Sequence, residues 1–174
     1  MTAGATDSGS GRPTAPTVAT CLWFDDQALP AATLYTSLVP DSEILGVSHY
    51  GPENSHGETA AVLQVEFRLG SQRFVALNGG PHFTLTPAAS IQVYCPDQAE
   101  VDRLWEALTA DGGQESRCAW LVDRFGLSWQ IIPTRLVELI GDPDPEVSAR
   151  VVAAMLTMGK IDVAALDAAA AGPA

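Results

Sequence analysis

The sequence predicts an α+β fold made of one strand–helix–strands unit used twice and followed by C-terminal helices. Three observations predict it. Residues 21–28, Cys-Leu-Trp-Phe-Asp-Asp-Gln-Ala, are echoed by residues 92–99, Gln-Val-Tyr-Cys-Pro-Asp-Gln-Ala, and both close on Asp-Gln-Ala after a strand-like run. Each echo leads into a segment of helical period about three turns long. Each helix is then followed by short alternating runs separated by turn residues, the pattern of strands and hairpins.

Taken in order, the first strand ends at Phe24, and the helix after it covers Gln27–Leu38 with Asp26 at its N-cap and Ala28, Ala31, Ala32, Tyr35 and Leu38 on one face. Strands follow over Ser42–Tyr50, Ala60–Leu69 and Gln72–Leu77, the last two joined by Gly70-Ser71, a two-residue hairpin signal. Gly79-Gly80-Pro81 and Pro87 punctuate the middle of the chain. The second unit opens with a strand over Ser90–Cys95. Asp97 with Glu100 forms a capping box for a helix over Gln98–Ala110, whose Val101, Leu104, Trp105 and Leu108 make a core stripe. Strands near Gln114–Arg117, Ala119–Asp123 and Ser128–Ile132 complete it. Helical segments then run from Thr134, with Asp144-Pro145 and Asp162 as start signals. The domain reading is a disordered tail over 1–16, paired units over about 17–80 and 88–133, and a helical extension over 134–174.

Composition narrows the function classes. Nine Lys and Arg stand against 21 Asp and Glu, a net charge of −12, which repels nucleic acid and anionic membrane. No run approaches the ~18 apolar residues of a membrane span, and the first residues lack the apolar core of a secretory signal. Three widely spaced cysteines, Cys21, Cys95 and Cys118, form neither a disulfide framework nor a zinc motif, so a reducing cytoplasm is expected.

Strand parity points to a cavity. Val65 and Phe67 oppose Gln64, Glu66 and Arg68; Ile91 and Val93 oppose Ser90, Gln92 and Tyr94; Trp129 and Ile131 oppose Ser128 and Gln130; Val75 and Leu77 oppose Phe74, Ala76 and Asn78. The oily face is expected to carry the helices. The other face is mixed polar and aromatic with few full charges, which suits a pocket wall. Phe24, Phe74, Tyr94 and Trp120 are the expected platform for a small organic ligand, with Asn78, Ser90, Gln92 and Gln130 to orient it. His49 and His56 are expected in solvent. His82, after the glycine turn, and Glu66, on the polar face, are the candidates for acid–base chemistry.

Four stretches carry a family resemblance: Leu22-Trp23-Phe24-Asp25, Leu77-Asn78-Gly79-Gly80-Pro81-His82-Phe83, Asp97-Gln98-Ala99-Glu100-Val101-Asp102, and Asp123-Arg124-Phe125-Gly126-Leu127-Ser128-Trp129-Gln130. Together they resemble the PhnB-like proteins of the vicinal-oxygen-chelate superfamily, which includes glyoxalase I, bleomycin-resistance proteins and extradiol dioxygenases. Some of these proteins bear the name 3-demethylubiquinone-9 3-methyltransferase. The resemblance implies paired βαβββ modules, two curled mixed sheets around a cup with helices outside, and a homodimer. It also implies a metal position on four strands, which falls here on Thr20, Ala76, Ser90 and Gln130, or with a slip of one on Cys21, Leu77, Ile91 and Trp129. Neither set is the imidazole–carboxylate quartet a divalent transition metal prefers, so no metal or other cofactor is expected. The alternative the resemblance leaves open is an enzyme: a metal-assisted lyase, isomerase or dioxygenase, or a methyltransferase. The strand-to-helix turns, Asp25-Asp26 and Pro96-Asp97, lack the glycines of a nucleotide-cradling loop.

Overall fold

The computed structural model describes residues 18–51 and 61–172. The expected N-terminal tail and His56 lie outside these residues.

Two four-stranded mixed sheets, each built as βαβββ, organise the chain, so the fold is α+β as the sequence predicts. The first comprises β1 (Thr20–Phe24), α1 (Ala28–Leu38), β2 (Glu43–His49), β3 (Val62–Leu69) and β4 (Gln72–Asn78), with strand order β1-β4-β3-β2. The second comprises β5 (Ser90–Cys95), α2 (Gln98–Thr109), β6 (Gln114–Glu115), β7 (Trp120–Val122) and β8 (Ser128–Pro133), in the matching order β5-β8-β7-β6. In both, the first strand runs parallel to the last, because a helix carries the chain across the sheet before the hairpins return it.

Helix α2 forms as its spacing requires: the Asp97 side chain accepts from the Glu100 N–H at 2.9 Å, and Val101, Leu104, Trp105 and Leu108 are all buried. Helix α1 starts differently from expectation. Gln27 occupies the N-cap without a side-chain bond, Asp26 is exposed, and the first-turn N–H of Ala28 is met from another strand by Asn78 Oδ1 at 2.8 Å.

One core joins the modules. Tyr35 of α1, fully buried, packs edge-on to Trp129 of β8 with ring centroids 5.0 Å apart, and it also meets Phe67 and Phe125. The helix-bearing faces of the two sheets therefore share a single apolar cluster.

Register corrects the parity read for the first sheet. Phe67 pairs with Phe74 and Val65 with Ala76, while Leu22 pairs with Ala76 and Phe24 with Asn78. Phe24, Phe74, Ala76 and Asn78 thus share the buried face that carries α1. Val75 and Leu77 lie on the other face with Glu66, Cys21 and Trp23. The Trp23 ring lies over Gly79, where any Cβ would overlap its carbons, and its Nε1–H donates to the Gly80 carbonyl at 2.8 Å.

The last segment holds α3 (Thr134–Ile140), α4 (Pro145–Met155) and α5 (Val163–Ala171) around a second cluster of Ala119, Leu136, Leu139, Val151, Ile161 and Leu166. Gln98 fastens it to α2, donating to Ile161 O at 3.0 Å and accepting from Val163 N at 2.8 Å.

Among the cysteines, Cys95 is wholly buried at the end of β5, and desolvation, followed by the charge of Glu100, pushes its thiol up to about 12. The folded chain holds that proton more tightly than the unfolded chain. Its contribution to stability is therefore complete below the ordinary thiol value of 9.0 and is lost as pH rises toward about 12. Iodoacetamide at pH 8 is expected to label exposed Cys21 and spare Cys95 until denaturant is added; mass spectrometry of the labelled peptides reads the outcome.

Candidate functional site

β1 and β5 are the edge strands of their sheets, and a groove of about 640 Å³ lies between them. Thr20 and Leu22 of β1 with Gln72 and Phe74 of β4 form one wall. Ser90, Gln92 and Tyr94 of β5 with Gln130 of β8 form the other. Leu85, from the segment between β4 and β5, closes one side. Among the described residues, no Asp, Glu, Lys or Arg lines this groove, although the chain carries 30 of them. A wall of amides, hydroxyls and rings without full charge suits an uncharged organic molecule with some polar atoms.

The second wall carries a directional hydrogen-bond ladder. The Tyr94 hydroxyl donates to Gln92 Oε1 at 3.1 Å, Gln92 Nε2 donates to Gln130 Oε1 at 3.0 Å, and Gln130 Nε2 donates to Ser90 Oγ at 2.8 Å. Sheet register builds it: Gln92 is directly across from Gln130, and Ser90 and Tyr94 flank Gln92 on the same face. Each member engages the next through one group only. Among the described residues, the Ser90 O–H and one N–H of each glutamine have no acceptor, so they can serve a bound one.

The structure gathers five of the expected ligand residues in this groove: Phe74, Ser90, Gln92, Tyr94 and Gln130. Phe24, 3% exposed, belongs instead to the core beneath α1, and Asn78, 8% exposed, borders a different cavity of about 470 Å³ with Tyr50, Val62 and Gly80. Trp120 borders a separate cavity of about 360 Å³. His82 is exposed in the segment after Gly80, and Glu66 is exposed across from Val75; neither lines the groove. His49 is exposed. Gln72 and Leu85 are groove residues that sequence reasoning missed. The first was detectable from the hairpin, which pairs Gln72 with Leu69 at an edge of the fold. Leu85 sits in irregular chain, where no periodicity marks a face.

The superfamily's metal position does not fit the residues found. Thr20 and Ala76 lie on the α1 face, and Ala76 is buried; Ser90 and Gln130 lie on the open face of the second sheet. In the slipped set Cys21 and Leu77 face away from α1, while Ile91 and Trp129 face α2. The groove brings Thr20, Ser90 and Gln130 together, two hydroxyls and an amide, while the fourth position, Ala76, is buried and offers no donor. That donor set does not match a divalent transition metal. Among the described residues, no three His, Cys, Asp or Glu side chains come together as a metal site. The strand-to-helix turns hold no glycine, and Gly79-Gly80 leads into irregular chain and not a helix.

The 3-demethylubiquinone-9 3-methyltransferase family profile matches residues 16–132, two thirds of the chain. The chain belongs to this PhnB-like family. A PhnB protein from Bacillus cereus is 32% identical, covering 68% of this chain and 99% of its own with a TM-score of 0.60. A Pseudomonas aeruginosa protein at 20% identity, covering 68% of this chain and 98% of its own with a TM-score of 0.54, shares the fold. No curated protein matches the chain. This PhnB-like chain is thus a member of the vicinal-oxygen-chelate superfamily, with its C-terminal helices beyond the family match. No helix among the described residues is long and apolar enough to cross a membrane.

Proposed function

We propose that this PhnB-like protein binds an uncharged, hydrogen-bond-accepting aromatic molecule in the groove between β1 and β5, without the superfamily's metal quartet. The observation that carries the reading is a groove lined by no charged side chain among the described residues, in a chain of net charge −12, with a hydrogen-bond ladder along one wall. Tyr94 supplies ring surface, while Phe74, 2% exposed, only borders the groove; Gln92, Gln130 and Ser90 supply direction. Sequestering or sensing such a compound needs no residue beyond these. The same reading takes the working unit to be a cytoplasmic homodimer, in which a second copy covers the half-exposed Tyr94 face; light scattering should then return the mass of two chains.

The test is a panel of neutral bicyclic ketones and phenols, beginning with coumarin, titrated by calorimetry. Gln130→Leu keeps the volume but removes the central link of the ladder, and a ladder-dependent ligand should lose about tenfold in affinity, the equivalent of one hydrogen bond of about 1.4 kcal/mol. Saturable binding that is unchanged in Gln130→Leu, or stoichiometric zinc, nickel, iron or manganese in the native protein, would end this reading.

A further inference from the structure

A separate cavity, of about 360 Å³, lies farther along the second sheet's open face, lined by Pro87, Arg117, Cys118, Trp120, Val122 and Ser128 among others. We propose that it is a separate binding site for a small aromatic carboxylate: the ring rests against Trp120, Val122 and Pro87, and the anion sits on Arg117.

Three observations build it. The first is Arg117 itself. Most described basic side chains are tied to protein: Arg68 to Glu43, Arg103 to Glu100, Arg124 to Asp111, Arg135 to Glu138 and Asp167, Lys160 to Asp102, and Arg150 to the carbonyls of Ala169 and Ala170. Arg117 has no such partner among the described residues, in a chain with more than twice as many acids as bases. An unpaired guanidinium beside an indole and a proline ring is a forked anion receptor next to an apolar surface.

The second is Ser128. It is 1% exposed, its hydroxyl has no hydrogen-bond partner among the described residues, and it borders this cavity. A buried donor left unmet in the apo chain is a place where a ligand's polar atom gains more than it would from a solvated hydroxyl.

The third is the way the wall is held. Cys118 and Ala119 both take left-handed backbone, with φ of 55° and 72°. Their N–H groups donate to Met158 O at 2.8 Å and Gly159 O at 3.0 Å, carbonyls that come from the C-terminal extension beyond the family match. Trp120 N donates back to Arg117 O at 3.1 Å, closing the turn. Two consecutive strained residues persist only where their surroundings dictate them, and strain of this kind gathers at binding sites. Here the extension dictates it, and the result is a turn that brings an arginine and a tryptophan to the lining of one cavity. Its volume is at the small end for ligand pockets and suits one or two fused rings.

The experiment titrates the full chain with 2-naphthoate and with its neutral counterpart 2-naphthamide, by calorimetry. The expected result is saturable binding with naphthoate preferred at least tenfold. Arg117→Gln, an exposed site whose melting temperature serves as the folding control, should erase that preference while leaving naphthamide binding in place. Trp120→Leu should weaken both compounds. Gln72→Leu alters the groove between β1 and β5 and not this cavity, so it should leave the naphthoate affinity unchanged whatever it does to naphthamide; a weakened naphthoate affinity would assign the carboxylate to that groove and overturn the second site. Absence of saturation up to millimolar naphthoate, or an undiminished preference in Arg117→Gln, would overturn it equally.

Discussion

Asp123→Ala is expected to destabilise the fold by about 3–5 kcal/mol, because it strands three neutral hydrogen-bond donors at once. Asp123 directly follows β7 and is 3% exposed. Its Oδ1 accepts from the N–H of Phe125 at 2.8 Å and of Leu127 at 3.0 Å, and its Oδ2 accepts from Trp129 Nε1 at 2.9 Å. Two of these bonds set the β7–β8 turn, while the third fixes the indole against which Tyr35 of the other module packs. The Tyr35 phenol faces the same carboxylate. Burial first, and then the Asp123 charge, pushes its ionisation well above the usual range, so it stays protonated. Alanine would leave two buried donors and one part-buried donor with no acceptor, and each buried loss is worth about 1–3 kcal/mol. Asp123→Asn retains one carbonyl oxygen but sets an NH₂ against at least one N–H, so an intermediate loss is expected. Urea midpoints with an unchanged slope measure both, and near-UV circular dichroism reports the indole's environment. A loss under 1 kcal/mol for alanine would mean that the turn and the module contact stand without the carboxylate.

The same hairpins show what was legible in the sequence. The repeat and the core stripe of α2 could be read directly, because Asp-Gln-Ala recurs after a strand each time and the spacing of Val101, Leu104, Trp105 and Leu108 admits one face. The open face of the second sheet was legible too: Ser90, Gln92 and Gln130 alternate cleanly with Ile91, Val93, Trp129 and Ile131, so polarity alone chooses the side. The first sheet defeated that reasoning. On β4, Phe74 and Ala76 alternate with Val75 and Leu77, and when both faces are apolar a period of two does not say which is buried. The turn did contain the answer. Across the two-residue loop Gly70-Ser71, Leu69 must pair with Gln72, and hence Phe67 with Phe74, so the face of Val65 and Phe67 claims Phe74 and Ala76 as well. Turn register, used before polarity, would have moved Phe24 and Asn78 from the candidate site to the buried face that carries α1. The strained turn at Cys118 was not legible at all, since the carbonyls that hold it come from some forty residues downstream.

Asn78 decides between those two assignments. Asn78→Ala is expected to cost about 2–4 kcal/mol and to leave groove binding intact. The residue closes β4 with its side chain among buried groups. Oδ1 accepts from Ala28 N at 2.8 Å, and Nδ2 donates to Val62 O at 3.0 Å. Helix α1 has no acidic residue in its first turn and no side-chain bond from its own N-cap, so this amide stands in for the missing cap across 50 residues of sequence. Losing a cap is worth about 0.5–2 kcal/mol, and the orphaned Val62 carbonyl and the small void add to it. The Tyr50 hydroxyl bond at 2.6 Å survives, because it reaches the Asn78 backbone carbonyl. Asn78→Asp retains the acceptor and places negative charge at a helix N-terminus, which is favourable, but turns the other oxygen toward the Val62 carbonyl. Its stability should therefore fall between wild type and alanine, and should worsen as pH rises and the carboxylate ionises. Denaturant titration at two pH values, paired with calorimetry at a temperature where each variant is folded, separates the two roles. An alanine variant as stable as wild type that no longer binds would return Asn78 to the ligand site.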